Sequence, residues 1–502
     1  MQAKFIEIDK NWKKICQLFL IAFLTGLFVH MYILTNKLIN YDEASCPFGG
    51  GGNVTFGRWF YFILMYLTKK IMGIYSAQWL YGVISIVCLS ASVVCILLTY
   101  DVKNRVNQVL VIFLFMSFPV IPVTLAFMFL SPFYCFGIFL GSLSVLLATK
   151  GEKRFCFLVS AILLACSMGI YQAYVGYILG LLLLYLISLC KNSSYQLVLK
   201  RVVLFLAVAV VGGLFYYIAN KMMLFITHTE MTDYKGINSA GKLAIGNWLQ
   251  RITHSYRVFF QSFISDYYGL TENTVFRIAF LITIIVSVAF MFIKIMDRIV
   301  KVLYMFFLAL LPLVINMMFV VCEEKDIYTL MVFPFIVILI MPIILIDVIN
   351  LEKKSIASTI IVLAVIFEVA DYATLDNEIY MKMQMAYNQA FSYYNTVVTQ
   401  IKSLDKYEAD MPVAFVGNVS DPTLTSWDEF SNIKNIHGIG EEDGLINIYS
   451  RTYFVQNYVG FSPAWIVNTK EIETTEEFRN MSVYPDAGSI QIIDGTVVVK
   501  FE

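Results

Sequence analysis

Two adjacent carboxylates, Asp42 and Glu43, directly follow the first long apolar run of the chain. A carboxylate at such a position can act as a general base, taking the proton of an incoming hydroxyl group while a phosphate departs. The same pattern also fits a solvated loop at the end of a helix. From the residues alone, catalysis by Asp42 or Glu43 is therefore one of two interpretations.

Arginine and lysine side chains could supply the opposite charge for such a reaction. The negative charge of a leaving phosphate is stabilised by arginine, which binds in a bidentate fork, or by lysine, which acts as a point charge. We predict that Arg58 binds the phosphate of a donor. Lys69 and Lys70 could do the same, although they also fit snorkelling towards lipid headgroups.

A second basic strip is formed by Arg251, His254 and Arg257, whose spacing of three puts them on neighbouring turns of one helix face. It could hold a pyrophosphate, a lipid phosphate or a sugar, and it also fits the polar face of an interfacial helix. Asp266 and the adjacent Tyr267 could hydrogen-bond to a sugar and stack against it.

Polar side chains inside apolar runs are costly unless they face a polar cavity. Glu368, Asp371 and Gln172 are of this kind, and we assign Gln172 to the sugar-binding residues together with Asp266 and Tyr267. No Cys-x-x-Cys spacing occurs, so the sequence predicts no metal site.

The elements that must position these residues follow from the composition. The 502 residues are 59% hydrophobic and only 14% charged, whereas soluble domains have about 25% charged residues. The chain is therefore predicted to be a polytopic α-helical membrane protein. The formal net charge of zero excludes a nucleic-acid partner.

Apolar runs of about 20 residues can cross the hydrocarbon core of a bilayer as single helices. Two further runs, 108–149 and 155–190, are about twice as long, so each must be a hairpin. We expect breaks around Pro119, Pro122 and Ser131-Pro132 in the first run and near Ser167–Gly169 in the second. Eleven spans result, of which the single ones are 16–34, 79–99, 202–226, 278–293, 302–321, 328–348 and 355–373.

The distribution of basic residues predicts the orientation of these spans. Lysines and arginines fall in alternate loops, which puts the N-terminus in the cytoplasm and, after an odd number of spans, the C-terminus outside. The stretch 59–67 is too short to span and is predicted to be an interfacial or re-entrant helix at the outer surface.

Two domains are expected from this topology. Residues 1–373 form a transmembrane catalytic module with outer loops 36–78 and 227–277, and residues 374–502 form a small extracytoplasmic α/β domain. In the tail we expect a helix, a strand over 412–416, and a hairpin over 489–500 that turns at Asp494-Gly495.

The order of five features resembles the bacterial and phage O-antigen glucosyltransferases of the Gtr serotype-conversion type, which belong to the GT-C superfamily of polytopic glycosyltransferases. An acid pair follows helix 1, and an acidic-aromatic helix follows the last span. The other three features are the sequences Gly57-Arg58-Trp59, Gly169-Ile170-Tyr171-Gln172-Ala173-Tyr174 and Tyr484-Pro485-Asp486-Ala487-Gly488-Ser489-Ile490.

This resemblance implies an inverting transfer of a hexose, usually glucose, from undecaprenyl phosphate to a hydroxyl group of a surface glycan, on the outer face of the cytoplasmic membrane. The base would be Asp42 first and Glu43 second, and Arg58 would contact the lipid phosphate. No cofactor is implied, with a divalent cation (Mg or Mn) left as an option. The acceptor could be an O-antigen, a teichoic acid or a wall polysaccharide.

The implied partners are membrane lipid, the lipid-linked donor and the glycan acceptor, with a polyprenyl-phosphate glucosyltransferase and a flippase supplying the donor. Two alternatives stay open. A lipid-linked oligosaccharide flippase or transporter is disfavoured because no internal repeat is found and few charges lie inside the spans. A glycan polymerase or ligase would use Arg251, His254 and Arg257 instead of the acid pair.

Overall fold

The computed structural model forms two compact units. The first comprises Met1–Asn36 and Gly50–Asn377, and the second comprises Lys37–Gly49 and Glu378–Glu502. The structure describes residues 2–47, 50, 54–73, 75–151, 153–232, 245–271, 273–322, 327–350, 356–419, 421, 424–433, 436–439 and 444–502, with side chains for all of these except 2–11, 245–246 and 356–357.

The first unit is helical throughout the part that the structure describes. Its helices are α1 (Gln2–Thr35), α3 (Trp59–Met72), α4 (Gln78–Tyr100), α5 (Arg105–Met116), α6 (Val120–Ala126), α7 (Ser131–Lys150), α8 (Arg154–Ile170), α9 (Tyr174–Leu189), α10 (Tyr195–Thr227), α11 (Ile245–Ile264), α12 (Thr274–Lys294), α13 (Arg298–Ile315), α14 (Met317–Val321), α15 (Ile336–Ile349) and the first part of α16 (Ile356–Lys402).

Several of these helices are long and apolar enough to cross a membrane. Among the described residues eight helices meet that condition, and α5 with α6 forms a further candidate that is bent by 43°. Helices α8 and α9 are apolar but shorter. The chain is therefore a helical membrane protein, and the number of eleven spans stays a prediction.

The structure breaks both of the long apolar runs, 108–149 and 155–190, into separate helices. The first break is confirmed, because α5 ends at Met116 and α7 begins at Ser131, around prolines that lack a backbone donor. The second break is also present, between the end of α8 at Ile170 and the start of α9 at Tyr174, which is a few residues after Ser167–Gly169. Gly169 serves close packing instead of a turn: a Cβ atom there would lie 2.6 Å from Nε1 of Trp59.

Helix α16 also differs from the prediction of a span over 355–373 followed by a separate tail helix. It is one helix of 47 residues, because neither glycine nor proline interrupts the sequence between Ile356 and Lys402. At 1.5 Å per residue it is about 70 Å long, more than twice the hydrocarbon thickness of a bilayer.

Helix α3 has 14 residues and is too short to be a candidate span, so the interfacial helix stays a prediction. It extends past residue 67 and contains Lys69 and Lys70 in its last turn. The predicted outer loops 36–78 and 227–277 include residues 48–49, 51–53, 74, 233–244 and 272, which lie outside the described residues.

The second unit contains a small mixed sheet in the order β1-β3-β2. Strand β1 runs parallel to β3, with Val413 opposite Val497, and β2 runs antiparallel to β3. The predicted hairpin is confirmed: its turn residues Asp494 and Gly495 have φ of 47° and 74°, as a two-residue type I′ turn requires. The strands are β1 (Val413–Val416), β2 (Ile490–Ile493) and β3 (Thr496–Lys500), and the short helices are α2 (Tyr41–Ser45), α17 (Arg451–Phe454), α18 (Lys470–Thr474) and α19 (Glu476–Asn480).

The core of this unit lies between the sheet and the later part of α16. The rings of Tyr394 on α16 and Phe415 on β1 are nearly parallel, with centroids 6.4 Å apart. Ile39 and Ala44 are buried in the same cluster. Two residues that follow the first helix in sequence, Ile39 and Ala44, are thus packed into the core of the C-terminal unit.

We predict that Phe415→Ala opens this core locally. Removing a buried phenylalanine side chain costs about 3–5 kcal/mol, so amide hydrogen exchange in β1 and β3 should accelerate roughly 100-fold or more. Phe391→Ala, at a 41% exposed position of α16, is the matched control and should leave the exchange unchanged. Equal effects of the two substitutions would contradict the assignment of this core.

Candidate functional site

The two acidic residues lie in α2, a helix of five residues. Asn40 caps its N-terminus by accepting a hydrogen bond from the backbone N–H of Glu43 at 2.9 Å. Asp42 is exposed, whereas Glu43 is fully buried and ion-paired with Lys37 at 3.3 Å. Of the two acids, Asp42 is therefore the one that solvent can reach.

Residues of the tail surround this acidic helix. The hydroxyl of Tyr41 is hydrogen-bonded to Nε2 of His437 at 2.8 Å, and Nδ2 of Asn457 donates to the carbonyl oxygen of Ala44 at 3.0 Å. Sequence reasoning missed both tail residues. No spacing or motif marks them, because they lie about 400 positions from their partners.

Tyr458 follows Asn457 and lies beside the buried acid. Burial raises the pKa of the Tyr458 hydroxyl, and the nearby Glu43 carboxylate raises this pKa further. Its ring stacks on Phe454 with centroids 5.3 Å apart. A neutral phenol therefore lies near the Glu43 carboxylate.

In the first unit, the structure brings together two motifs that are over 110 positions apart in sequence. Nε2 of Gln172 donates to the carbonyl oxygen of Phe56 at 2.5 Å, and the hydroxyl of Tyr216 donates to the carbonyl oxygen of Gly57 at 3.1 Å. The guanidinium of Arg58 lies over the ring of Tyr171, 5.3 Å from its centroid. Gln172 thus holds the segment that carries Arg58.

Two glycines allow this close approach. Gly57 has a φ of +78°, and a Cβ atom there would lie 2.5 Å from the hydroxyl of Tyr216 and 2.6 Å from Nε2 of Gln172. Gly169 lets α8 pack directly against Trp59. The two sequence motifs 57–59 and 169–174 therefore pack against each other next to Arg58.

The two lysines of α3 are placed differently from Arg58. Lys69 and Lys70 are exposed in the last turn of the helix, and the ammonium of Lys70 lies 4.7 Å from the ring centroid of Tyr66. This arrangement fits a helix end at a headgroup surface at least as well as a phosphate site.

The second basic strip lines a groove of about 440 Å³ between α11 and α14. Arg251 donates hydrogen bonds to the carbonyl oxygens of Val320 and Val321, at 3.3 Å and 2.9 Å, and so caps the end of α14. His254 packs on the ring of Phe319, and Arg257 is exposed. His254 and Arg257 are therefore better placed than Arg251 to bind an anion in the groove.

The carboxylate of Asp266 is hydrogen-bonded within its own loop. Its carboxylate accepts hydrogen bonds from the backbone N–H groups of Leu270 and Thr271 and lies 3.7 Å from Arg277. Burial raises the pKa of Asp266, and these donors oppose the rise. Tyr267 packs between aromatic rings, so both residues have structural contacts and their sugar-binding role stays a prediction.

Buried acids mark one face of α16. Glu368 is 2% exposed, and Asp371 accepts a hydrogen bond from the backbone N–H of Asn273 at 3.0 Å. Asp376, which sequence reasoning passed over, is fully buried, and neither of its carboxylate oxygens has a hydrogen-bond partner among the described residues.

The described residues contain no group of three or more His, Cys, Asp or Glu side chains that could hold a metal ion. A cavity of about 570 Å³ is lined by helix ends that include Asp347 and Lys191. None of the candidate site residues lines it.

Comparison with known proteins gives one match. Residues 31–339, more than half of the chain, match the family model described as glucosyl transferase GtrII. No curated protein matches the chain, and no solved structure does. The matched region includes the acid pair, Arg58, Gln172 and the groove, and it ends before the tail.

We predict that Gly57→Ala destabilises the segment that carries Arg58. A side chain at positive φ together with overlap on Gln172 and Tyr216 should cost about 2–4 kcal/mol. The melting temperature in detergent, followed by intrinsic fluorescence, should fall by several degrees. Gly213→Ala is the matched control, since a Cβ atom there meets nothing within 4 Å; equal melting temperatures would contradict the close approach.

We also predict that Asp376→Asn raises the melting temperature. An amide costs less to bury than a carboxylate that lacks a partner, by about 1 kcal/mol or more. Asp405→Asn, at an exposed position of the tail, should leave the melting temperature unchanged. A lower melting temperature for Asp376→Asn would show that the native carboxylate is stabilised where it lies.

Proposed function

The chain belongs to the GtrII family of glucosyl transferases, and we propose that it transfers a hexose, glucose first, from undecaprenyl phosphate to a hydroxyl group of a surface glycan. The family makes the protein a glycosyltransferase that modifies a glycan. The apolar helices make it a membrane protein. The lipid donor, the glycan acceptor and the outer face of the cytoplasmic membrane, with the N-terminus inside and the C-terminus outside, belong to the proposal.

The observation that carries the proposal is the unequal exposure of the acid pair. Asp42 is open to solvent and Glu43 is buried against Lys37. In the proposed step the acceptor oxygen attacks the anomeric carbon and its proton passes to the Asp42 carboxylate. The bond from that carbon to the phosphate oxygen breaks, and its electron pair leaves with the lipid phosphate. Direct attack inverts the configuration at the anomeric carbon.

Cations of the helical unit have the complementary role. We assign Arg58 to the donor phosphate because Gln172, Gly57 and Tyr171 fix its position, and a fixed donor stabilises a developing charge without reorganising. His254 and Arg257 line a groove wide enough for a second anionic or sugar group of either substrate. Lys69 and Lys70 are assigned to lipid headgroups.

The chemistry of these residues needs no cofactor. A carboxylate base and an arginine can activate the acceptor and neutralise the leaving phosphate between them. A divalent cation on the phosphate stays an option, and titration with EDTA and Mg²⁺ would decide it. Supply of the donor requires a separate enzyme that loads the lipid and a flippase that moves it.

We predict that Asp42→Asn and Glu43→Gln separate the two acids. Loss of a general base lowers the rate about 100-fold or more, so Asp42→Asn should abolish most release of undecaprenyl phosphate. Glu43→Gln removes an ion pair but keeps the size of the side chain, and a loss of about 10-fold is expected. Turnover of labelled undecaprenyl-phosphate-glucose by purified protein measures both.

Asp405→Asn is the matched control for charge and should retain full turnover. Equal, full turnover in Asp42→Asn would contradict the proposal. If His254→Ala and Arg257→Ala abolished transfer while Asp42→Asn did not, the groove would be the catalytic centre and a glycan polymerase or ligase would be the better assignment. Movement of glycolipid across proteoliposomes without any transfer would indicate a flippase.

A further inference from the structure

The helix that carries Asp42 is too short to be stable by itself. Forming the first turn of a helix is unfavourable, and isolated helices shorter than about 12 residues are marginal in water. Helix α2 has five residues. Its conformation must therefore come from its surroundings, and the exposure of the Asp42 carboxylate depends on them.

Two contacts from the tail hold the two ends of α2. At its first residue, the hydroxyl of Tyr41 is hydrogen-bonded to His437 at 2.8 Å, and the two rings meet edge to face. At its fourth residue, the carbonyl oxygen of Ala44 accepts a hydrogen bond from Asn457 at 3.0 Å. Asp42 lies between these two points.

Two residues of α2 are also buried against the tail, which adds to the hydrogen bonds that hold this helix. Ala44 is fully buried in the core of the second unit, together with Phe454 and Val455 from the segment just before Asn457. Glu43 is buried beside Tyr458. The buried side of α2 therefore faces the tail and leaves the side with Asp42 open.

We infer that His437 and Asn457 are positioning residues for Asp42, so that other residues of the C-terminal unit set the position of the proposed base. This inference rests on the proposed function of Asp42. It goes beyond the family match, because both residues lie outside the matched range 31–339. Neither residue contacts the reacting atoms; each acts through the backbone or a neighbour of Asp42.

The test uses the full-length protein and substitutions that preserve shape. Tyr41→Phe removes one hydroxyl group, and Asn457→Asp replaces the amide donor by a carboxylate that cannot donate to the Ala44 carbonyl. Each should lower kcat roughly 10-fold, the effect of losing one hydrogen bond, with KM for donor and acceptor within about twofold. Gln456→Ala, at the exposed neighbouring position, should leave kcat unchanged.

Two readouts separate positioning from general stability. The double variant Tyr41→Phe/His437→Ala should be no slower than His437→Ala, because the two residues act through one bond. His437→Gln, which can still hydrogen-bond to the tyrosine hydroxyl, should recover most of kcat. Additive losses in the double variant, or a failure of His437→Gln to recover activity, would overturn the inference.

The result for Asp42→Asn distinguishes a failure of this inference from a failure of the proposed function. If Asp42→Asn is inactive while Tyr41→Phe and Asn457→Asp have the kcat of the wild type, the positioning role is wrong and the base assignment stands. If Asp42→Asn is fully active, the base assignment fails, whatever the tail variants do.

Discussion

A carboxylate can act as a base only if its backbone holds it in place, and the backbone at Asp42 is a helix of five residues. The hydrogen bonds within so short a helix do not compensate for the free energy that forming its first turn requires. Its stability comes from the Asn40 cap, from the ion pair that Glu43 makes with Lys37, and from burial in the core of the C-terminal unit. The difference in exposure between the two acids follows, because Glu43 lies on the packed side of the helix and Asp42 on the exposed side.

In the helical unit, the backbone next to Arg58 is held by close packing and by hydrogen bonds from side chains. Gly57 and Gly169 remove the side chains that would keep neighbouring segments apart. Gln172 and Tyr216 then donate hydrogen bonds to the carbonyl oxygens of Phe56 and Gly57, the two residues directly before Arg58. These contacts hold the backbone on the N-terminal side of Arg58.

The parts of this account that the sequence predicts are those with a local cause. Pro119, which has no backbone donor, lies between the end of α5 and the start of α6, and Asp494-Gly495 makes a hairpin turn from its own φ preferences. The sequence places the second break only approximately, because a glycine such as Gly169 is typical of a turn or of close packing, and only its contact with Trp59 decides between the two. His437 and Asn457 could not be predicted, since their partners lie about 400 residues away and a single histidine or asparagine in a loop carries no periodicity.

The central claim is a glycosyl transfer in which an acceptor hydroxyl displaces a polyprenyl phosphate directly. The most direct measurement is product analysis with purified protein in nanodiscs, using undecaprenyl-phosphate-glucose of known anomeric configuration and a surface-glycan acceptor. The account predicts one undecaprenyl phosphate released per glycosidic bond formed, and a product whose anomeric proton shows the inverted configuration by NMR. Retention of configuration, or donor consumed without a new glycosidic bond, would contradict it.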